Sequence, residues 1–88
     1  VSDQAWPARL SPTASRYLAA LEPAVQELVG DILDIASRAP LHWPQWDTSD
    51  PEGTDLRAAA VGQLSLIYWI NRTTEPPHLY VLDIVWAG

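Results

Sequence analysis

Seven consecutive residues, Leu64 to Ile70, read Leu-Ser-Leu-Ile-Tyr-Trp-Ile and contain one polar side chain, Ser65. Side chains along a strand point alternately to opposite faces, so a run that is apolar at nearly every position needs cover on both faces. The segment therefore reads as a strand in the middle of a sheet. One of its faces should meet helices, and what meets the other is the functional question. The surrounding stretch with almost no charge, Ala58 to Ile70, is too short to cross a bilayer as a helix.

Only one hydrophobic core fits into 88 residues, so residues 1–88 are read as a single domain. Ser11-Pro12 has the form of a helix start, with serine as N-cap and proline in the first turn, and Ala14, Tyr17, Leu18 and Leu21 follow at helical spacing. Glu22-Pro23 restarts that pattern. Val25, Leu28, Val29, Ile32 and Ala36 continue it on a second helix until Pro40, which together gives a helical hairpin over residues 11–39. Residues 5–10 form an expected edge strand, restricted by Pro7. Residues 40–55 form a loop that turns acidic at Asp47, Asp50, Glu52 and Asp55. This cluster lacks the spacing of a calcium loop and reads as a solvated turn. Residues 56–86 change to strand-favouring composition in three segments, Leu56 to Val61, Gln63 to Asn71 and His78 to Trp86, which predicts an antiparallel meander packed on the helices. The fold class is α+β.

Eleven acidic side chains against five arginines leave a formal charge of -6, with no visible basic patch. That balance works against general attraction to nucleic acid or to anionic lipid, both of which reward clustered cations. Without cysteine there is no thiolate ligand or thiol nucleophile. His42 and His78 lie far apart and lack metal-ligand spacing, so neither a metal nor another cofactor is expected. The polar start Val1-Ser2-Asp3-Gln4 is unlike a secretory leader, and the expected address is cytoplasmic.

The order of elements, together with particular residues, resembles the RelE/ParE superfamily, the toxin halves of bacterial toxin–antitoxin pairs. Leu10-Ser11-Pro12-Thr13-Ala14 looks like the start of that family's first helix, and Leu21-Glu22-Pro23-Ala24-Val25 like its helix–helix junction. Leu56-Arg57 through Val61-Gly62 to Leu66-Ile67-Tyr68 looks like its hairpin, and Val81-Leu82-Asp83-Ile84-Val85 like its last strand. The resemblance covers about Ala8 to Trp86. It implies a RelE-like fold and an antitoxin that wraps the domain with a helix or an added strand. Ribonuclease members cleave messenger RNA by positioning a 2′-hydroxyl and stabilising phosphate charge, which calls for cationic side chains and an acid/base group. Where the family commonly carries Arg-Val-Gly-x-Tyr-Arg-x-Ile-Tyr, this chain reads Ala60-Val61-Gly62-Gln63-Leu64-Ser65-Leu66-Ile67-Tyr68. Ala58 and Ala59 stand where further basic residues are often found, and Val85-Trp86-Ala87-Gly88 stands where Gly-His-Arg often follows. Each preorganised charge stabiliser is worth about two to three orders of magnitude in rate, so this set of replacements implies a degenerate active site.

The remaining catalytic candidates are Arg57, His78 and Tyr80, with Asp83 and Glu75 as neighbours. Strict alternation places His78 and Asp83 on opposite faces. Alternation also puts Ser65, Ile67, Trp69 and Asn71 on the face away from the helices and Leu64, Leu66, Tyr68 and Ile70 on the helical side. Ile67, Trp69 and Trp86 are therefore the candidate partner-binding residues, since exposed tryptophan is favoured at interface hot spots. The bland alternative is that the Trp43-Pro44-Gln45-Trp46 loop or the N-terminal strand folds over Ile67 and Trp69. The leading expectation is a toxin-like domain without ribonuclease activity that binds an antitoxin-like protein through that face and the sheet edge. The alternatives are a divergent active toxin, either a messenger-RNA endoribonuclease or a gyrase-type inhibitor, and a homodimer in which two open faces cover each other.

Overall fold

Ser11 opens the first helix in the way its position before Pro12 suggests, and it does more than cap. Its hydroxyl oxygen accepts the Ala14 N–H at 3.0 Å and its own hydrogen goes to the Leu82 carbonyl at 3.0 Å, 71 residues away. The computed structural model describes residues 6–88; Ala5, the first residue of the expected N-terminal strand, lies outside the described residues. The elements are β1 (Ala8–Leu10), α1 (Pro12–Ala20), α2 (Pro23–Arg38), β2 (Leu56–Val61), β3 (Leu64–Asn71) and β4 (His78–Trp86). Proline occupies the first turn of both helices, where its missing N–H costs no intrahelical bond.

The strands form one four-stranded sheet in the order β1-β4-β3-β2. β1 runs parallel to β4, while β4, β3 and β2 form the antiparallel meander. Gly62, at φ 60°, makes the tight β2–β3 turn, a position where a Cβ would be strained. The α+β architecture with a short edge strand, a helical hairpin and a three-stranded meander is the one the sequence predicts.

Val25, Val29, Ile32 and Ala36 of α2, with Ala14 of α1, pack against Ala59, Leu64, Leu66, Tyr68, Ile70, Leu79, Val81 and Ile84 of the sheet. The even-numbered residues of β3 thus all face the helices. Each large aliphatic side chain sealed in this way contributes about 1.5–3 kcal/mol. Tyr17, expected on the apolar stripe of α1, is instead at the surface and uses its hydroxyl to reach the backbone N–H of Trp86 at 3.1 Å. Tyr68 is fully buried and donates its hydroxyl to the Pro40 carbonyl at 2.6 Å, which ties the central strand to the end of α2.

β4 carries the one irregularity in the sheet register. Ile67 pairs with Asp83 and Tyr68 with Val81, so Leu82 is an extra residue, a β-bulge. The bulge corrects the expectation that His78 and Asp83 lie on opposite faces. Through their partners Asn71 and Ile67 they share one face. Without the bulge, a strand that buries Leu79 and Val81 would also aim Asp83 into the core, where an unpaired carboxylate is costly.

Two outcomes follow from these contacts. Ser11→Ala removes a cap and leaves the Leu82 carbonyl unmatched, and urea unfolding should show a loss of about 1–2 kcal/mol. Burial pushes the Tyr68 hydroxyl up from 10.0 to about 12, against a smaller opposing pull from Arg57. Its native neutral form therefore supports stability fully below pH 10, and that support fades as the pH climbs toward 12. Absorbance at 295 nm should show one late-ionising tyrosine, and Tyr68→Phe should abolish that phase.

Candidate functional site

The side of the sheet away from the helices is not covered by either helix, and the register fixes its composition. Residues that pair across strands share a face. Arg9, Tyr80, Trp69 and Leu56 form one row from β1 to β2. Asp83, Ile67 and Ala58 form the next, followed by Val85, Ser65 and Ala60. Trp69 is 40% exposed, Leu82 38% and Val85 46%. Alternation within β3 thus places Ile67 and Trp69 as the sequence predicts.

Among the described residues, neither of the alternative covers lies over this face, since β1 pairs alongside β4 within the sheet. The Trp43-Pro44-Gln45-Trp46 segment runs along the outer edge of β2 as a short antiparallel addition. Gln45 bridges Arg57, the Ala58 N–H bonds to the Pro44 carbonyl at 2.9 Å, and the Trp46 N–H bonds to the Leu56 carbonyl at 2.8 Å. By alternation Trp43 turns to the helical side, where it packs on the core, and Trp46 extends the first row beyond Leu56. Trp46 is 57% exposed, a surface residue that reading this segment as an irregular loop overlooks. The segment carries no polarity alternation that could have marked it as a strand.

The catalytic candidates do not assemble. Arg57 pairs with Tyr68, on the helical side of the sheet, and its guanidinium is held by the Thr54 and Trp43 carbonyls at 2.8 and 3.1 Å. It therefore cannot approach His78 and Tyr80, contrary to the sequence expectation, because the sheet lies between them. His78 is buried at the end of the open face, with Nδ1 3.1 Å from the Thr74 hydroxyl. Opposite it, Asn71 closes the same turn by accepting the N–H and hydroxyl of Thr73 at 3.1 and 3.0 Å. Tyr80 meets the edge of His78 and lies in the row between Arg9 and Trp69. Arg9 is the cation that the sequence reading missed: its parallel pairing with Tyr80 brings it to the open face. Trp86 pairs with Leu64 and packs against the core on the helical side, so it does not join Ile67 and Trp69 in one surface.

Much of the sheet edge is occupied. Past the end of β1, the carbonyls of Val81 and Leu82 take the Ser11 N–H and hydroxyl, Ile84 N–H is met by Asp83 Oδ1, and Trp86 N–H by Tyr17. Asp50 folds back on the Glu52 N–H, and Asp55 forms a bidentate pair with Arg72 at 2.9 Å. The Ser49 hydroxyl and N–H hold the Asp47 carboxyl below its ordinary range. Among the described residues no group of three or more histidine, aspartate or glutamate side chains is arranged to hold a metal ion, and no helix is long and apolar enough to cross a membrane.

No family model matches the sequence, and no curated protein matches it. Among solved structures, a chain of the toxin–antitoxin complex RelBE2 from Mycobacterium tuberculosis is similar over 93% of this chain and 98% of that one. The TM-score is 0.74 and the sequence identity 24%. The fold is RelE-like, as the resemblance of the helix starts and the hairpin implies.

Because Trp46 lies exposed at the sheet edge, Trp46→Ala should change unfolding free energy by less than about 1 kcal/mol, measured by urea titration, while Trp69→Ala, which removes a ring partly covered between Tyr80 and Leu56, should cost about 1–2 kcal/mol. Leu66→Ala, on the buried side of the same strand, should cost about 2–5 kcal/mol.

Proposed function

We propose that this chain is a RelE-fold protein of a bacterial toxin–antitoxin type of system that works in the cytoplasm by binding an antitoxin-like protein, and that it does not cleave messenger RNA. The observation that carries this reading is the composition of the open face. Leu56, Ala58, Ala60, Ile67, Trp69 and Val85 lie there in register and Trp46 continues them at the β2 edge by alternation, while Arg9, Tyr80, Asp83 and Ser65 are the polar residues of the same face. Stabilising a phosphate in its transition state needs several converging donors, and one arginine beside one tyrosine, with His78 buried next to them and tied to the Thr74 hydroxyl, supplies little of that. An exposed surface centred on two tryptophans has the make-up of a protein-binding hot spot. The similar chain comes from a complex of toxin and antitoxin, and the same kind of pairing is proposed here.

Controlled expression in a bacterial host, with and without a neighbouring antitoxin-like gene product, tests the reading. Normal growth, intact messages and capture of the co-expressed protein by the folded chain are expected. Growth arrest with cleaved messages would replace this reading with that of an active endoribonuclease, and arrest with intact messages and trapped gyrase with that of a gyrase-type inhibitor. A concentration-dependent dimer that captures no partner would replace it with self-association.

A further inference from the structure

The rows of the open face hold one charge of each sign, and the two do not meet. Of the five arginines, Arg38 is paired with Asp34, Arg72 with Asp55, and Arg57 is occupied by two backbone carbonyls. Arg9 is exposed on β1 and makes no ion pair among the described residues. Asp83 has its Oδ1 on the Ile84 N–H at 3.0 Å and likewise makes no ion pair there. Arg9 begins the row that continues through Tyr80 and Trp69, and Asp83 stands one row further along β4, beyond the bulge. With strands about 4.8 Å apart and rows about 6.8 Å apart, the two Cα atoms are separated by roughly 8 Å along a diagonal of the sheet. Every other position in these rows is uncharged.

A two-fold contact has to be complementary to itself, and a face with one free cation and one free anion meets that requirement. An axis lying over the sheet exchanges Arg9 and Asp83 only where it crosses their diagonal at right angles. That line passes between Tyr80 and Trp69, the latter 40% exposed, so both rings lie at the axis and meet across it. We infer that, before any other partner arrives, the open face is closed by a second copy of this chain, in a two-fold pair with reciprocal Arg9–Asp83 ion pairs around a centre of Trp69 and Tyr80. The inference rests on the reading of this face as the binding surface and adds a competitor for it: an antitoxin-like protein has to separate the two copies to reach the face. The net charge of -6 opposes the pairing, but no other carboxylate lies in these rows, and repulsion beyond about 8 Å is screened at physiological salt. Four strands and three rows amount to roughly a few hundred Å² per copy, the size of a transient contact, which corresponds to a dissociation constant of about 10–100 μM.

Sedimentation velocity of the 88-residue chain, from about 5 to 500 μM at physiological salt, should show monomer passing into dimer. Arg9→Asp and Asp83→Arg set like charges against each other twice in the pair, and each should weaken association about 10-fold or more. An equimolar mixture of the two variants should associate again, because the mixed pair holds one native ion pair and one with its charges exchanged. Neither a lost fold nor a contact within one chain gives that recovery, and circular dichroism of each variant checks the fold. A chain that stays monomeric throughout, single variants that associate as the parent does, or a mixture of folded variants that stays monomeric would overturn the inference. A monomer that still captures the antitoxin-like protein would overturn it and leave the partner-binding reading standing. A dimer that shows the mixing recovery but captures no such protein would uphold it and remove that reading.

Discussion

The structure turns on a single hydroxyl. Ser11 Oγ caps the first helix and at the same time holds the carbonyl of Leu82, the residue that bulges out of β4. That contact fixes where α1 leaves the sheet, and the bulge sets which half of β4 faces which way. Leu79 and Val81 before it and Ile84 after it all reach the core, while Asp83 is turned out. The second polar connection is Tyr68 on Pro40, which closes the end of α2 onto the central strand. Between these two points, apolar side chains fill the space and polar groups are matched. Trp43 Nε1 is the buried side-chain donor left without a partner among the described residues.

Much of the fold was legible because its local rules are strong. Pro12 and Pro23 each mark a helix start that no other position could supply as well, and the even-numbered residues of β3 announce a helix-facing side. The candidate site was less legible, for three separate reasons. A bulge depends on the partner strand, and the clue, a carboxylate at Asp83 in phase with Leu79 and Val81, makes sense only once Ile67 is seen opposite it. β2 reads Leu-Arg-Ala-Ala-Ala-Val, so its alternation carries little contrast and Arg57 can be assigned to either face. Arg9 shares the open face because of a three-residue parallel pairing, a long-range contact that no local pattern encodes.

The Trp43–Trp46 segment belongs to the same class of omission. Proline is excluded from the interior of a sheet but accepted on an outer strand, and here Pro44 offers its carbonyl to Ala58 without needing an N–H. The segment protects part of the β2 edge from intermolecular pairing and in the same step widens the open face by one tryptophan. Edge protection by the backbone and an added exposed tryptophan, Trp46, therefore come from the same four residues.

The bulge at Leu82 also divides β4 into two parity classes. Before it, odd-numbered residues belong to the interior; after it, even-numbered ones do. The extra residue is accommodated only because it bulges: the same nine residues laid out as a regular strand would send Ile84 outward and Asp83 inward, whereas a strand lacking Leu82 would keep both faces as they are. The outward carboxylate is therefore secured by the kink in the backbone as much as by the identity of the residue.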